Sequence, residues 1–485
     1  MSIRSIMIAA CAGLPACALA QPQFSVSPHQ ASLIGERFLG SGIALADVTG
    51  DGLLDVVVSD NTYQQPYTHQ FSVLVNLGSG QFASAVVSMP VTEGNDFSNL
   101  ALALGDLNED GRADLVTTRL STFYPPDGNR PNLAVMFGNA DGSFSGQVNL
   151  ANSTTDRFMR QARGKNVAIG DMNGDGHLDI VSVAANDSFS VIRGNGDGTF
   201  QPPIQSGAGY AQITTLGDLD ADGDLDVVGF WGNTSSSRPV TTVIVNFNNG
   251  QGVLTGAPTT SLGARINGGH CMALVRDLNG DNKADLAFFG ERGAESGAGG
   301  IYLYAGNGTG AFPTVLFRET RAEDNLDTST CLLDDFDGDG DQDLLKYPAP
   351  GRTGEVRLNN GSGDFSSVAP LTAGSVQEWT GASGDLLGHG LPDLAFYQIL
   401  DGSNTPTIQV LENVTPLPGP SCDSIDFNGD GLFPDNADLE DFFSVFGGGP
   451  CSTGTCNDID FNNDGLFPDN DDLEDYLRVF GGGSC

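Results

Sequence analysis

The chain alternates short apolar runs with glycine-rich polar stretches, and shows no helical periodicity until its C-terminal part. Gly42-Ile43-Ala44-Leu45-Ala46 and Asn166-Val167-Ala168-Ile169-Gly170 are typical first runs, and Val56-Val57-Val58 and Ile180-Val181-Ser182-Val183 typical second runs. A third run, such as Val73 to Asn76 or Val191 to Gly194, ends in a Gly/Asx turn that leads to an aromatic at Phe82 or Phe200. Similar turns precede Phe144, Phe312 and Phe365, and the residues after each aromatic form a fourth run. Asx-Gly turns between apolar runs are hairpin signals, so each unit predicts four antiparallel strands.

Between the first and second runs lies a nine-residue pattern, Asp-x-(Asn/Asp/Thr)-x-Asp-Gly-x-x-Asp. Copies begin at Asp47, Asp106, Asp171, Asp218, Asp277, Asp335 and Asp385, separated by 47 to 65 residues. That period suits one four-stranded propeller blade. The expected fold is all-β: a seven-bladed β-propeller over residues 21–414. The seventh unit stops at its third strand, Ile408 to Leu411, while Phe24 to Pro28 is an orphan strand near the N-terminus. Pairing the two would close the ring and remove an exposed edge.

The spacing of the acids has a chemical reason. Side chains at positions 1, 3, 5 and 9 of a tight loop converge, and hard oxygens around one centre suit Ca²⁺. Position 6 needs a bend that glycine, or asparagine at Asn282, tolerates. The candidate ligand sets are Asp47, Thr49, Asp51 and Asp55; Asp106, Asn108, Asp110 and Asp114; Asp171, Asn173, Asp175 and Asp179. They continue with Asp218, Asp220, Asp222 and Asp226; Asp277, Asn279, Asp281 and Asp285; Asp335, Asp337, Asp339 and Asp343. The copies at Asp106, Asp171, Asp218 and Asp335 carry every ligand type, and Thr49 is a weaker donor. The seventh loop has Leu387 and His389 at positions 3 and 5 and is expected empty or weak; its Asp385 and Asp393 are left open. His177 and His389 are expected to face solvent.

These loops, with turns such as Gly194-Asn195-Gly196-Asp197-Gly198-Thr199-Phe200, resemble the FG-GAP/VCBS repeats of integrin α-subunit propellers and related proteins, over roughly Phe24 to Val414. The resemblance implies calcium ions that stiffen hairpins on one face and do no chemistry. No catalytic residue is assigned, because near-copies of one loop make a poor single active site.

After a proline-rich linker, 415–421, one unit occurs twice over 422–485 at an offset of 34 residues. Its acids are Asp426, Asn428, Asp430 and Asp438, with Asp460, Asn462, Asp464 and Asp472 as their twins. Helical spacing follows in Leu439, Phe442, Phe443 and Phe446, and again in Leu473, Tyr476, Leu477 and Phe480. A calcium loop followed by a helix, present twice, resembles tandem dockerin modules with EF-hand-like loops. The prolines Pro434 and Pro468 and the flanking cysteines depart from that pattern. A cohesin-like partner and a partnerless disulfide-stapled cap both remain open.

Composition narrows the setting. With 61 acidic and 21 basic residues the formal net charge is -40, which repels nucleic acid and anionic membrane. Arg4, the apolar stretch Ile6 to Leu19 and Ala18-Leu19-Ala20 read as a signal peptide, 1–20, ending before Gln21; a lipoprotein signal at Cys17 is the alternative. Export to the medium or the cell surface is expected, with no membrane span and a monomeric chain. Of the remaining cysteines, Cys422–Cys451 and Cys456–Cys485 are the simplest pairs, and Cys271–Cys331 a third.

Strand alternation puts the acidic loops and the Gly-rich turns on one face. The opposite connections carry Tyr63, Tyr67, Phe123, Tyr124, Arg130, Trp231 and Arg238. Of these, Tyr63, Tyr67, Tyr124, Arg130 and Trp231 are the candidate contacts for an extracellular protein or glycan ligand. The expected function is a non-catalytic, calcium-binding adhesion or ligand-binding scaffold. The alternative is a carbohydrate-binding or polysaccharide-degrading protein with an attachment tail.

Overall fold

The computed structural model describes residues 22–32, 42–61, 69–78, 80–83, 86–88, 102–118, 133–150, 167–184, 188–207, 214–231, 242–261, 266–292, 299–321, 331–346, 354–371, 380–399, 406–415, 427, 436–446, 449, 452, 473, 476 and 477. Within them β1 is Phe24–Ser32. Blade 1 comprises β2 (Ile43–Ala46), β3 (Asp55–Asn61), β4 (His69–Leu74) and β5 (Val86–Ser88); blade 2 comprises β6 (Ala103–Gly105), β7 (Asp114–Thr118), β8 (Leu133–Gly138) and β9 (Phe144–Leu150). Blade 3 comprises β10 (Val167–Gly170), β11 (Asp179–Ala184), β12 (Ser188–Ile192) and β13 (Ile204–Ser206); blade 4 comprises β14 (Thr214–Gly217), β15 (Asp226–Trp231), β16 (Thr242–Asn248) and β17 (Leu254–Ser261). Blade 5 comprises β18 (Ile266–Arg276), β19 (Asp285–Arg292), β20 (Gly299–Ala305) and β21 (Thr314–Arg321); blade 6 comprises β22 (Cys331–Asp334), β23 (Asp343–Lys346), β24 (Gly354–Leu358) and β25 (Ser367–Leu371). Blade 7 is β26 (Thr380–Gly384), β27 (Asp393–Ile399) and β28 (Pro406–Asn413).

These strands form seven four-stranded antiparallel sheets, and β1 is the fourth strand of the last, in the order β1-β28-β27-β26. Phe24 pairs with Asn413 and Val26 with Leu411, so the orphan N-terminal strand does complete blade 7. Gln23 and Thr415 extend the seam: Val414 N–H donates to Gln23 O and Gln23 N–H to Thr415 Oγ1, both at 2.8 Å. Thr415 therefore belongs to the same compact unit, Gln21–Thr415, as the sheets. The first strand of blade 1, β2, touches β6 on one side and β26 on the other, which closes the circle.

Buried apolar side chains gather into one cluster per blade interface. Val56, Val58 and Leu74 of blade 1 meet Ala395, Ile408 and Val410 of blade 7, and Phe24 joins Phe336 and Phe396 between blades 6 and 7. Both faces of each sheet are covered, which is why the second and third strands are continuous apolar runs rather than alternating ones. Position 2 of every acidic loop is also apolar and almost wholly buried: Val48, Leu107, Met172, Leu219, Leu278, Phe336 and Leu386. Each plugs the interface with the following blade, as Val48 does beside Leu115 and Leu386 beside Val56. This is a signal in the sequence that the acids around it obscure.

The second compact unit contains Pro416–Cys485. Its helix α1, Asn436–Phe446, buries Phe442 against Phe427 and Tyr476. Phe442 and Tyr476, equivalent positions of the duplicated unit, stack with ring centroids 3.8 Å apart. Phe443 and Leu477, expected on the same face, are instead 47% and 43% exposed. The i and i+3 positions, Leu439 with Phe442 and Leu473 with Tyr476, share the apolar cluster, while i+4 stays at its rim.

Candidate metal centres

Each acidic loop joins the first two strands of its blade, and its nine residues hold their shape through their own backbone. The position 1 carboxylate accepts the N–H of position 6 in all seven loops, at 2.7–3.1 Å. The position 5 carboxylate accepts the N–H of position 7 in six, from Asp51 and Leu53 to Asp339 and Asp341. Position 6 has positive φ, as expected, including Asn282 at 60°. Position 4 does too, which the sequence reading missed: Gly50, Gly174, Gly280, Gly338 and Gly388 are glycines, but Glu109 and Ala221 adopt φ of 56° and 65° without that freedom.

The position 9 aspartates are wholly buried. In every loop one oxygen accepts the N–H of position 2, at 2.9–3.1 Å. The other accepts a backbone N–H at the end of the third strand, from Asn76, Gly138, Gly194, Asn248, Gly306, Asn359 or Asn413, at 2.7–2.9 Å. One carboxylate thus ties the acidic loop to the Gly-rich turn, and both lie on the same face. Burial pushes Asp114, Asp179 and Asp285 up to about 6, Asp226 to about 7 and Asp343 to about 8, against the hydrogen bonds that favour the ionised form.

Four of the third-strand residues are buried asparagines, and they stitch blades together. Asn76 Nδ2 donates to Leu386 O of blade 7 at 2.7 Å, Asn248 Nδ2 to Met172 O of blade 3 at 2.7 Å, Asn359 Nδ2 to Leu278 O of blade 5 at 2.9 Å, and Asn413 Nδ2 to Phe336 O of blade 6 at 3.0 Å. Where glycine stands instead, the backbone closes on the loop: a Cβ at Gly194 would sit 2.3 Å from Leu178 O.

Among the described residues three loops bring three ligand atoms within 4.8 Å of one another: Asp218, Asp220 and Asp226; Asp335, Asp337 and Asp339; and Asp385, His389 and Asp393. In the first two, position 3 supplies a carboxylate. Asp220 Oδ1 and Asp337 Oδ2 are buried and have no hydrogen-bond partner among the described residues. Burial, with Asp339 nearby, pushes Asp337 up to about 7. A buried anionic oxygen without a donor is costly unless a cation meets it, so loops 4 and 6 fit a hard divalent cation such as calcium. In loops 2 and 5 a basic residue at position 7 already holds the position 5 acid: Arg112 lies 2.5 Å from Asp110 and Lys283 2.9 Å from Asp281. The set at Asp106 is therefore not equivalent to those at Asp218 and Asp335, although its ligand letters are complete.

His177 pairs with Glu109 of the preceding blade. His389, expected to face solvent, is half-buried: part of its ring is exposed, while Nε2 lies 2.9 Å from Oδ1 of buried Asp393. The loop has the same nine-residue span as the others, and at position 5 it is the imidazole, not a carboxylate, that reaches the position 9 acid. Of the candidate ligand-face residues, Tyr63, Tyr67, Phe123, Tyr124, Arg130 and Arg238 lie outside the described residues, as do residues 1–20 and Asp426, Asn428, Asp430, Asp460, Asn462, Asp464 and Asp472. So do Cys422, Cys451, Cys456 and Cys485, and the side chains of Trp231 and Cys271; Cys331 is buried between blades 5 and 6. Asp438 is buried in the first turn of α1.

A family model for the FG-GAP-like repeat matches residues 47–117, 171–229 and 277–346, each match starting at the first aspartate of a loop. Three stretches of the propeller thus match the FG-GAP-like repeat. Integrin alpha-PS5 of Drosophila melanogaster is 35% identical over 85 residues, 17% of this chain, and the match spans only 8% of that integrin. Among solved structures, the chain is similar to a Photorhabdus luminescens Tc holotoxin pore (16% identity, 74% of this chain and 18% of that one, TM-score 0.34). It is also similar to the WD40 domain of Toxoplasma gondii coronin (8% identity, 87% and 90%, TM-score 0.48). Neither likeness, at a TM-score under 0.5, adds to what the sheets themselves show. No described helix of the chain is long and apolar enough to cross a membrane.

Proposed function

We propose that this chain is an exported, calcium-stiffened FG-GAP propeller that acts as a non-catalytic adhesion or ligand-binding scaffold. The observation that carries the calcium part is the pair of buried, partnerless oxygens on Asp220 and Asp337, each set among further acids of its own loop. When bound, calcium supplies positive charge that offsets these carboxylates. The protein's own part is to hold them in place: position 1 and position 5 acids are fixed by loop N–H groups, and position 9 acids brace loop to turn. The resemblance of the repeats to part of an integrin α chain supports an adhesive role outside the cell, and Ala18-Leu19-Ala20 supports export.

Ligand binding falls to the face opposite the acidic loops, with Tyr63, Tyr67, Tyr124, Arg130 and Trp231 as contacts and an extracellular protein or glycan as ligand. Calcium loops in the C-terminal unit, its disulfides and a cohesin-like partner belong to the same proposal. Two measurements test it. Metal analysis of the untreated protein should find calcium, and chelation should lower the melting temperature reversibly; each site at hundredfold excess of ion over Kd contributes about 2.7 kcal/mol. A glycan and extracellular-protein array should give binding that alanine at Tyr124 and Trp231 abolishes without changing the melting temperature. Calcium-free protein that calcium never stabilises would overturn the metal reading. Binding indifferent to all five ligand-face substitutions would overturn the choice of face.

A further inference from the structure

We propose that the imidazole of His389 takes the place of a cation in the seventh loop, so that the blade that closes the ring needs no metal. It rests on the calcium reading of the other loops only for contrast. Asp393 is the position 9 acid here, and its oxygens are saturated. Oδ2 accepts the N–H of Leu386 at 3.0 Å and of Leu387 at 2.9 Å; Oδ1 accepts the N–H of Asn413 at 2.9 Å and faces His389 Nε2 at 2.9 Å. A carboxylate offers about four lone-pair sites, and all are used. Asp226 in loop 4 takes backbone N–H bonds only from Leu219 and Asn248. At position 3, Leu387 brings no oxygen, where Asp220 and Asp337 bring one that is buried and partnerless.

The ring's second nitrogen fixes which proton it carries. Nδ1 accepts the N–H of Leu391 at 3.3 Å, so Nδ1 is bare and Nε2 carries the hydrogen that points at Asp393. A metal on Nε2 would need the opposite tautomer, with Nδ1 donating. The same arrangement therefore disfavours calcium, for want of oxygens, and zinc, because the one unprotonated nitrogen, Nδ1, accepts the N–H of Leu391 and the nitrogen facing the acids carries a hydrogen. Blade 7 also carries the β1–β28 seam, so ring closure is held by hydrogen bonds whatever the calcium supply.

The test uses the full chain, stripped of metal and then equilibrated with saturating calcium. The double variant Leu387→Asn/His389→Asp restores oxygens at positions 3 and 5 and should bind one more calcium per chain than the wild type; equal non-zero counts would overturn the proposal. A wild-type count of zero would instead sink the calcium reading, and two arms on unmodified protein still decide this one. Long-range ¹⁵N correlation should show His389 as the Nε2–H tautomer, and the Nδ1–H tautomer would refute it. Added calcium should leave hydrogen exchange of residues 385–393 unchanged, and calcium-induced protection there would refute it. Stoichiometric zinc binding that His389→Ala removes would do the same.

Discussion

Asp226 and Asp222 sit four residues apart in one loop and do different work. Asp226 is buried and accepts N–H bonds from Leu219 at 3.0 Å and Asn248 at 2.8 Å; Asp222 is exposed and fixed mainly by its own turn. Asp226→Asn sets an amide NH₂ against one of two backbone donors, so one bond to a charged acceptor is lost and a buried N–H is left without a partner. The expected cost is about 3 kcal/mol, read by denaturant unfolding in chelator. Asp222→Asn should leave unfolding in chelator unchanged and weaken calcium binding, read by titration. If both variants lose stability equally in chelator, the bracing role of Asp226, which also stands with Asp218 and Asp220 in the candidate cation cluster, is wrong. The nine-residue pattern made both acids legible as candidate ligands. It did not separate them, because the partner of Asp226 lies at the end of the third strand, 22 residues away, and only the folded blade brings it near.

At the scale of the hairpin, backbone conformation explains why the loops repeat so faithfully. Alternate left-handed residues at positions 4 and 6 turn the N–H groups of the loop inward on the position 1 carboxylate. Glycine supplies that conformation cheaply, and Ala221 does not. Ala221→Gly should raise stability by about 1 kcal/mol, measured by thermal unfolding in saturating calcium, whereas Gly174→Ala in loop 3 should lower it by about as much. A gain from both would show that φ at position 4 is not what limits the loop. Strand order, the completion of blade 7 by a strand at Phe24 to Pro28, which the structure extends to Ser32, and the shared face of loops and turns were all readable, since they follow from alternation and from turn chemistry. The stitching by Asn76, Asn248, Asn359 and Asn413 was not. Each of those amides answers a carbonyl in the neighbouring blade, up to 310 residues away, and three of the seven positions do without an asparagine.

For the whole molecule, buried carboxylates make stability depend on pH in a direction that calcium should reverse. Burial raises the folded-state pKa of Asp114, Asp179 and Asp285 to about 6, of Asp226 and Asp337 to about 7 and of Asp343 to about 8, from an ordinary 3.8. Between these limits the folded state of the metal-free protein holds more protons than the unfolded chain. Its stability is therefore greatest near pH 4 to 5 and falls as pH rises to about 8. The net charge of -40 adds self-repulsion in the same direction. All six are buried, and one pKa unit between folded and unfolded states is worth roughly 1.4 kcal/mol. A fall in melting temperature of about 5 °C or more from pH 5 to pH 8 is expected after metal removal. A cation in the loops binds the ionised carboxylates, so with saturating calcium the melting temperature should rise over the same interval. Melts at both pH values, with and without calcium, decide it. Parallel curves would mean that the loops are braced by hydrogen bonds alone. Diverging ones would mean that the acids crowded on one face are tolerated because an ion is there to meet them.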